Sequence, residues 1–133
     1  MPAYTSARAD PVPDVAPCHR VLIVEDDLTS RAAMAFLLRH FGFAPVLAGT
    51  VQEAIAQIAA ARPDCVVLDL MLPDGTGDRV LAAIRQQRLD IRVAVATGAS
   101  DPALLSTVQA LRPDVVFKKP LDMDRVTAWL RGT

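Results

Sequence analysis

The chain has 133 residues, 52% of them apolar, and a formal net charge of -1. This length and apolar content predict one domain with its own hydrophobic core. Because no basic run extends beyond Lys118-Lys119, no nucleic-acid partner is predicted. No apolar stretch reaches the roughly 18 residues of a membrane span, and the N-terminus lacks a secretory signal pattern. A cytoplasmic protein without a membrane partner is therefore predicted.

The first 18 residues are rich in proline and almost free of apolar periodicity, and they hold four of the ten prolines. This composition is typical of a disordered arm. We predict a disordered N-terminal arm over residues 1–18 and an ordered domain over residues 19–133. Cys18 falls in the predicted arm and Cys65 in a buried strand, so neither a disulfide framework nor a metal-binding pair is expected.

The ordered part begins with a short apolar strand followed by acids. Residues 21–24 form a continuous apolar run, and three acids follow at 25–27. From 28 to 41 the apolar residues return at helical spacing, and Gly42 follows as a stop signal. The apolar residues expected on one side of this first helix are Leu28, Ala32, Phe36, Leu37 and Phe41.

The same strand-then-helix unit recurs four more times. Capping signals mark the helix starts, such as the capping box of Thr50 with Glu53 and the Asp101-Pro102 pair. Five such units predict a parallel sheet with helices on both faces. The further predicted strands span 44–48, 65–69, 91–96 and 114–117, and the further helices run from about 50 to 61, 77 to 87, 101 to 111 and 122 to 130.

Polar residues follow four of the five predicted strands. The acids at 25–27 follow the first strand, Asp69 ends the third, Thr97 follows the fourth and Lys119 follows the fifth. Carboxyl ends of parallel strands share one edge of the sheet, where ligands bind in this class of fold. We therefore expect these side chains to converge on one site.

The predicted site suits phosphoryl chemistry. Neighbouring carboxylates repel one another unless a cation neutralises them, and an all-oxygen ligand set favours Mg²⁺ over zinc. A hydroxyl at Thr97 and an ammonium at Lys119 are groups that bind phosphoryl oxygens. Asp69, alone at the end of its strand, is then the nucleophile that accepts a phosphoryl group as an acyl phosphate. The sequence contains no Gly-rich phosphate loop, Ser/His pair or dinucleotide fingerprint.

Four motifs in order also carry a family resemblance. They are Val-Glu-Asp-Asp at 24–27, Pro-Asp at 63–64 with Asp-Leu-Met-Leu-Pro-Asp-Gly at 69–75, Ala-Thr-Gly at 96–98, and Lys-Lys-Pro at 118–120. With this set, the chain from Arg20 onward resembles a response-regulator receiver domain of two-component signalling. The resemblance implies a flavodoxin-like, doubly wound α/β fold, in which a five-stranded parallel sheet of order 2-1-3-4-5 is covered by five helices.

The resemblance also implies roles for single residues. Asp69 would be the phosphoacceptor, Thr97 the switch hydroxyl and Lys119 the key lysine, with a cis bond before Pro120. Asp27 is an extra acid, and capping of the first helix is its better interpretation. The implied Mg²⁺ ligands are Asp26, Asp69, Glu25 through a water molecule, and the backbone carbonyl of Met71.

One residue departs from the family pattern. Most members have Tyr or Phe three residues before the key lysine, whereas this chain has Val116. In the family, that aromatic side chain changes rotamer together with the switch threonine, and Val116 cannot make this aromatic rotamer change. Val116 therefore bears on how the signal would leave the domain.

Three functions fit these observations. The leading one is a phosphoacceptor receiver that takes a phosphoryl group from a phosphohistidine of a histidine kinase or phosphotransfer protein. It would be a single-domain protein, catalysing only its own phosphorylation and dephosphorylation, and would contact a target through helix 4, strand 5 and helix 5. The alternative is a phosphate sink or inert adaptor without structural output, which Val116 makes credible. A Mg²⁺-dependent phosphohydrolase fits least, because Met71 stands two residues after Asp69, where a second acid is needed.

Overall fold

The computed structural model describes residues 16–98 and 101–132. Within them, the strands of a parallel sheet alternate with helices as predicted, and no helix among them has the length and hydropathy to cross a bilayer. The strands are β1 (Arg20–Val24), β2 (Ala44–Ala48), β3 (Cys65–Asp69), β4 (Arg92–Thr97) and β5 (Val115–Lys118). The helices are α1 (Leu28–His40), α2 (Val51–Ala61), α3 (Asp78–Gln86), α4 (Pro102–Ala110) and α5 (Met123–Leu130).

The sheet has the order β2-β1-β3-β4-β5, and every neighbouring pair is parallel. This is the predicted order 2-1-3-4-5. The register pairs Asp69 with Ala96 and Thr97 with Lys118, so β3, β4 and β5 end at the same edge. The predicted convergence of the strand ends is therefore present.

The core lies on both faces of the sheet. Along β1 and β3, alternate residues join two separate apolar clusters, one with α1 and α5 and the other with α2, α3 and α4. For example, Val66 and Leu68 pack toward one face of the sheet, and Cys65 and Val67 toward the other. Because both faces are covered, these strands consist of continuous apolar runs rather than alternating ones.

The apolar face predicted for α1 is wrong. The helix buries Ala35 and Leu38, whereas Leu28 and Phe36 are each 69% exposed. The helix carries two apolar stripes, and periodicity alone could not choose between them. The stripe that is buried packs against the sheet through Ala35 and Leu38, and Arg31 helps to hold this orientation because its Nη1 donates to the carbonyl of Glu25 at 2.9 Å.

The interpretation of Cys18 as part of a tail is also wrong. Cys18 is only 6% exposed, and the structure joins it to Cys65 as a disulfide with Cα atoms 6.0 Å apart. The segment before β1 runs along the end of α5, where the amide of Cys18 donates to the carbonyl of Leu130 at 2.8 Å. This long-range contact brings the two cysteines together. Residues 1–15, the greater part of the predicted arm, lie outside the described residues.

Helix starts follow the capping signals in the sequence. The side chain of Asp27 accepts from the amide of Ser30 at 2.8 Å, which confirms its interpretation as the cap of α1. Thr50 caps α2 in the same way, through the amide of Glu53. Asp101 caps α4. These caps fix where each helix begins relative to the strand end before it.

Candidate functional site

The carboxyl edge of the sheet brings acids and a lysine into contact. Glu25 follows β1, Asp69 ends β3 and Lys119 follows β5. Lys119 Nζ lies 3.1 Å from Glu25 Oε1 and 3.1 Å from Asp69 Oδ2. The ammonium therefore bridges two carboxylates that come from different strands.

Two more predicted residues lie at the same edge. Carboxylate oxygens of Glu25, Asp26 and Asp69 lie within 4.8 Å of one another. Thr97 ends β4, next to the Ala96 that pairs with Asp69, and is 5% exposed. The structure thus brings the side chains of Glu25, Asp26, Asp69 and Lys119 together and places Thr97 at the same edge of the sheet.

Lys119 keeps its charge in this setting. Burial works against the ammonium, but the hydrogen bonds and the negative charges of Glu25 and Asp69 outweigh it and raise the pKa of Lys119. Its peptide bond to Pro120 is cis, as expected. The amide of Lys119 donates to the carbonyl of Thr97 at 2.9 Å, which ties the ends of β4 and β5 together.

The three carboxylates differ in how they are held. Asp69 Oδ1 accepts from the amide of Met71 at 3.3 Å, and Glu25 Oε2 accepts from the amide of Asp27 at 3.1 Å. Asp26 is exposed and makes no side-chain hydrogen bond within the described residues. Its carboxylate is therefore open to a ligand.

This donor set fits a hard divalent cation. Three carboxylates face one ammonium, so the site keeps an excess of negative charge that a divalent cation would balance. The side-chain donors are all oxygen, which suits Mg²⁺ and does not suit zinc. The ligand roles of Asp26, Asp69, Glu25 and the Met71 carbonyl remain predictions.

The loop after β3 is closed tightly against Asp69. The amide of Gly77 donates to the carbonyl of Leu70 at 2.8 Å, and a Cβ at position 77 would collide with the carbonyl oxygen of Asp69. Within the loop, Met71–Leu72 and Gly75–Thr76 form a short antiparallel pair that the sequence pattern did not predict. Only glycine allows this approach, so residue 77 fixes the backbone of the central acid.

Asp74 anchors the same loop to α2. Its two carboxylate oxygens accept from the amide of Val51 at 2.8 Å and from that of Gln52 at 3.0 Å. These hydrogen bonds lower the pKa of Asp74, and the hydrogen bond from the amide of Val51 has the largest effect. Asp74 thus caps the start of α2, although it lies in a different segment of the chain.

An open cleft of about 810 Å³ lies over the acids. Met71 lines it and is 59% exposed. The cleft also contains Thr76 and, from the start of α4, Asp101 and Leu104. Sequence reasoning missed these three, because their positions depend on how the hairpin and α4 approach the sheet. A second cleft, of about 450 Å³, lies between α2 and α3, away from the acids.

The fold and this edge define a flavodoxin-like α/β domain with an acidic site that contains a lysine. Residues 21–131 match the family model of the response regulator receiver domain. The chain belongs to that family.

Curated relatives are longer than this chain. The acid tolerance regulatory protein ActR of Rhizobium meliloti (strain 1021) is 35% identical over 130 residues, which cover 98% of this chain and 66% of ActR. The photosynthetic apparatus regulatory protein RegA of Rhodovulum sulfidophilum is 36% identical over 112 residues, covering 83% of this chain and 60% of RegA. The chain thus spans about two thirds of the length of ActR and less than two thirds of that of RegA.

Solved structures share the fold. A CheY-like receiver domain protein from Methanospirillum hungatei JF-1 superposes with a TM-score of 0.78 at 22% identity, covering 84% of this chain and 93% of that one. A LuxR-family DNA-binding response regulator from Staphylococcus aureus superposes with a TM-score of 0.76 at 27% identity, covering 82% of this chain and 92% of that one. These matches confirm the flavodoxin-like architecture.

Proposed function

We propose that the chain is a cytoplasmic phosphoacceptor protein. Asp69 takes a phosphoryl group from a phosphohistidine of a histidine kinase or phosphotransfer protein, in a reaction that depends on Mg²⁺. The observation that carries the proposal is the position of Asp69, whose Oδ2 lies 3.1 Å from Lys119 Nζ and whose carboxylate lies within 4.8 Å of those of two further acids. Membership of the receiver family supports it.

Each residue of the site has a part in this transfer. A carboxylate oxygen of Asp69 forms a bond to phosphorus as the bond from phosphorus to the histidine nitrogen breaks, and that nitrogen keeps the electron pair. Lys119, held in place by Glu25, offers its ammonium to the phosphoryl oxygens. The hydroxyl of Thr97 is a further donor for those oxygens. Mg²⁺, when bound, offsets their negative charge.

The outer face of α1 supports transfer from a protein donor. Leu28 and Phe36 are the most exposed large apolar side chains in the described residues, at 69% each. Both lie on the helix that begins just after Asp26 and Asp27. Exposed apolar side chains beside a reactive site are typical of protein contact surfaces. In this proposal the donor lies across α1 with its phosphohistidine directed at Asp69.

Replacing Phe36 with Asp tests that contact. Phosphotransfer from a histidine kinase that labels the wild-type protein should fall by about tenfold or more, because a contact of this size contributes about 1.5 to 3 kcal/mol. Labelling by acetyl phosphate should stay unchanged, since Phe36 lies outside the cleft. Ile55→Asp, on α2, is the matched control. An equal loss with both phosphodonors would rule out a docking role for Phe36.

The output surface would be formed by α4, β5 and α5. Only Val108 of α4 is fully buried, and Leu104 and Leu105 are partly buried against the same core cluster, so most of the helix surface faces outward. Leu104 of α4 lines the cleft, and Val116 of β5 packs against the same apolar cluster as Leu104. We propose that phosphorylation draws the Thr97 hydroxyl toward the phosphoryl group and shifts α4, with Val116 filling less space than an aromatic residue would.

Two alternatives compete with this output. A phosphate sink or inert adaptor would accept phosphate without any change at α4, which the small Val116 permits. A phosphohydrolase needs an acid beside the nucleophile for the leaving group, and Met71 supplies none. The other acid of the cleft, Asp101, is used as the cap of α4, with its Oδ1 accepting from Ala103 at 3.0 Å.

Thr97→Ala separates a switch from a sink. Labelling should persist because Asp69 and Lys119 remain, while the phosphorylation-dependent change in amide hydrogen exchange of α4 should disappear. Thr97→Ser keeps the hydroxyl and should retain that change. If wild-type α4 exchanges identically with and without phosphate, the protein is a sink. If Thr97→Ala still shows the change, the signal takes another route.

A further inference from the structure

The two cysteines form a pair at the amino end of the sheet, away from the phosphoacceptor site. Cys65 begins β3, whose other end is Asp69, and Cys18 lies just before β1. The Cα atoms are 6.0 Å apart, which is within the range that a disulfide spans without backbone movement. The pair therefore can form and open while the sheet stays in place.

Arg92 is fixed against Cys18. Its Nη2 lies 3.1 Å from Cys18 Sγ and 3.2 Å from the carbonyl of Leu130, and its Nη1 lies 3.2 Å from the carbonyl of Trp129. The guanidinium also lies 4.6 Å from the centre of the Trp129 ring. A guanidinium held this close to a cysteine sulfur stabilises the thiolate, which is the reactive form.

Asp64, which precedes Cys65 in the sequence, directs its carboxylate elsewhere. Asp64 Oδ2 accepts from the amides of His19 at 3.0 Å and Arg20 at 2.8 Å. Its charge is thus used to hold the backbone that enters β1. Arg92 is left as the charged group in contact with the Cys18 sulfur among the described residues.

The two sulfurs also differ in access. Ala16 and Pro17, just before Cys18, are exposed, whereas Cys65 is fully buried at the start of the central strand of the sheet. Segments outside the sheet open locally more easily than central strands. A small disulfide in solution therefore reacts with Cys18 first. The buried Cys65 reacts second, with the sulfur of Cys18.

We propose that Cys18 and Cys65 are a reversible thiol–disulfide pair that locks the segment before β1 onto the domain. The Cys18 thiolate attacks a low-molecular-weight disulfide, forming a mixed disulfide and releasing one thiolate. The Cys65 thiol then loses its proton to solvent and attacks the Cys18 sulfur, releasing the second thiolate. Two protein thiols and one small disulfide thus become one protein disulfide and two small thiols.

The state of the pair controls how firmly the segment is held. With the cysteines reduced, hydrogen bonds hold the segment. The amide of Cys18 donates to the carbonyl of Leu130, and Arg92 Nη2 donates to the carbonyl of Ala16 at 3.4 Å. With the bond formed, the segment is tied covalently to β3 across 47 positions of sequence. The proposal is independent of phosphorylation at Asp69, which lies at the other edge of the sheet.

Redox titration tests the pair directly. The full chain is equilibrated in reduced and oxidised glutathione at varied ratios, quenched with acid, alkylated and weighed by mass spectrometry. Wild-type protein should pass reversibly from two alkylated cysteines to none. Free thiols at the highest proportion of oxidised glutathione would overturn the proposal. A bond that survives the highest proportion of reduced glutathione would also overturn it, by showing a permanent structural link.

Single variants test the order of the two sulfurs. Cys65→Ser should form a mixed disulfide with glutathione at Cys18, while Cys18→Ser should stay unmodified at the buried Cys65. The reverse pattern would contradict the assignment. Oxidation of the wild type should also raise the melting temperature by on the order of 10 °C, a shift that Cys18→Ser should lack.

The role of Arg92 is tested in the Cys65→Ser background. Arg92→Gln should slow the reaction of Cys18 with oxidised glutathione by about tenfold, because the thiolate loses its neighbouring charge. Arg92→Lys restores a positive charge and should recover most of the rate. Equal rates in all three proteins would remove Arg92 from the proposal. Labelling of Asp69 by acetyl phosphate should be the same in every variant, which confirms that each is folded.

Discussion

Replacing Asp69 with Asn should abolish labelling by acetyl phosphate and leave the fold intact. An amide in place of the carboxylate cannot form an acyl phosphate, so the expected loss is complete. The side chain keeps its shape and keeps an oxygen that accepts the hydrogen bond now given by Lys119, which also retains Glu25 at 3.1 Å. Intact mass after incubation with acetyl phosphate and Mg²⁺ measures the label, and circular dichroism measures the fold.

Asp27→Asn is the matched control for that experiment. Asp27 lies at the same edge of the sheet, but its carboxylate caps α1 through Ser30, and asparagine caps helices equally well. This variant should be labelled like the wild type. Persistent labelling of Asp69→Asn, or loss of labelling in Asp27→Asn, would refute the assignment of the phosphoacceptor.

Replacing Asp26 with Asn should weaken Mg²⁺ binding and labelling together, each by at least about tenfold. Asp26 is exposed and makes no side-chain hydrogen bond in the described part of the chain, so its removal costs the fold little. What it removes is one of three carboxylates whose oxygens lie within 4.8 Å of one another. Calorimetric titration with Mg²⁺ measures binding without any phosphodonor, and intact mass measures labelling.

Asp101→Asn serves as the control for the metal prediction. Asp101 lines the same cleft but lies outside the group of three acids, and asparagine preserves its cap on α4. Its Mg²⁺ affinity should match the wild type. A loss of labelling in Asp26→Asn with unchanged Mg²⁺ affinity would show that Asp26 acts by some means other than metal binding.

The sheet and its site could be predicted because they depend on local patterns. Continuous apolar runs mark strands that are covered on both faces, and Asp69, Thr97 and Lys119 each follow or end such a run. Parallel topology then brings the strand ends to one edge. The structure adds the distances, such as the 3.1 Å between Lys119 Nζ and Asp69 Oδ2.

What could not be predicted depends on contacts between distant segments. The sequence of α1 offers two apolar stripes, and the hydrogen bond from Arg31 to the carbonyl of Glu25 helps to decide which one is buried. Cys18 follows a proline-rich stretch, and only its contacts with Leu130 and Cys65 show that it belongs to the core. Local composition contains no information about such partners.

The assignment of Asp69 as phosphoacceptor is tested most directly by finding where the phosphoryl group is attached. Wild-type protein is treated with acetyl phosphate with and without Mg²⁺, reduced with borohydride to convert any aspartyl phosphate to homoserine, digested and mapped by mass spectrometry. Conversion is expected at Asp69 alone, and only when Mg²⁺ is present. Phosphate attached to another residue, or labelling of Asp69 that is indifferent to Mg²⁺, would contradict it.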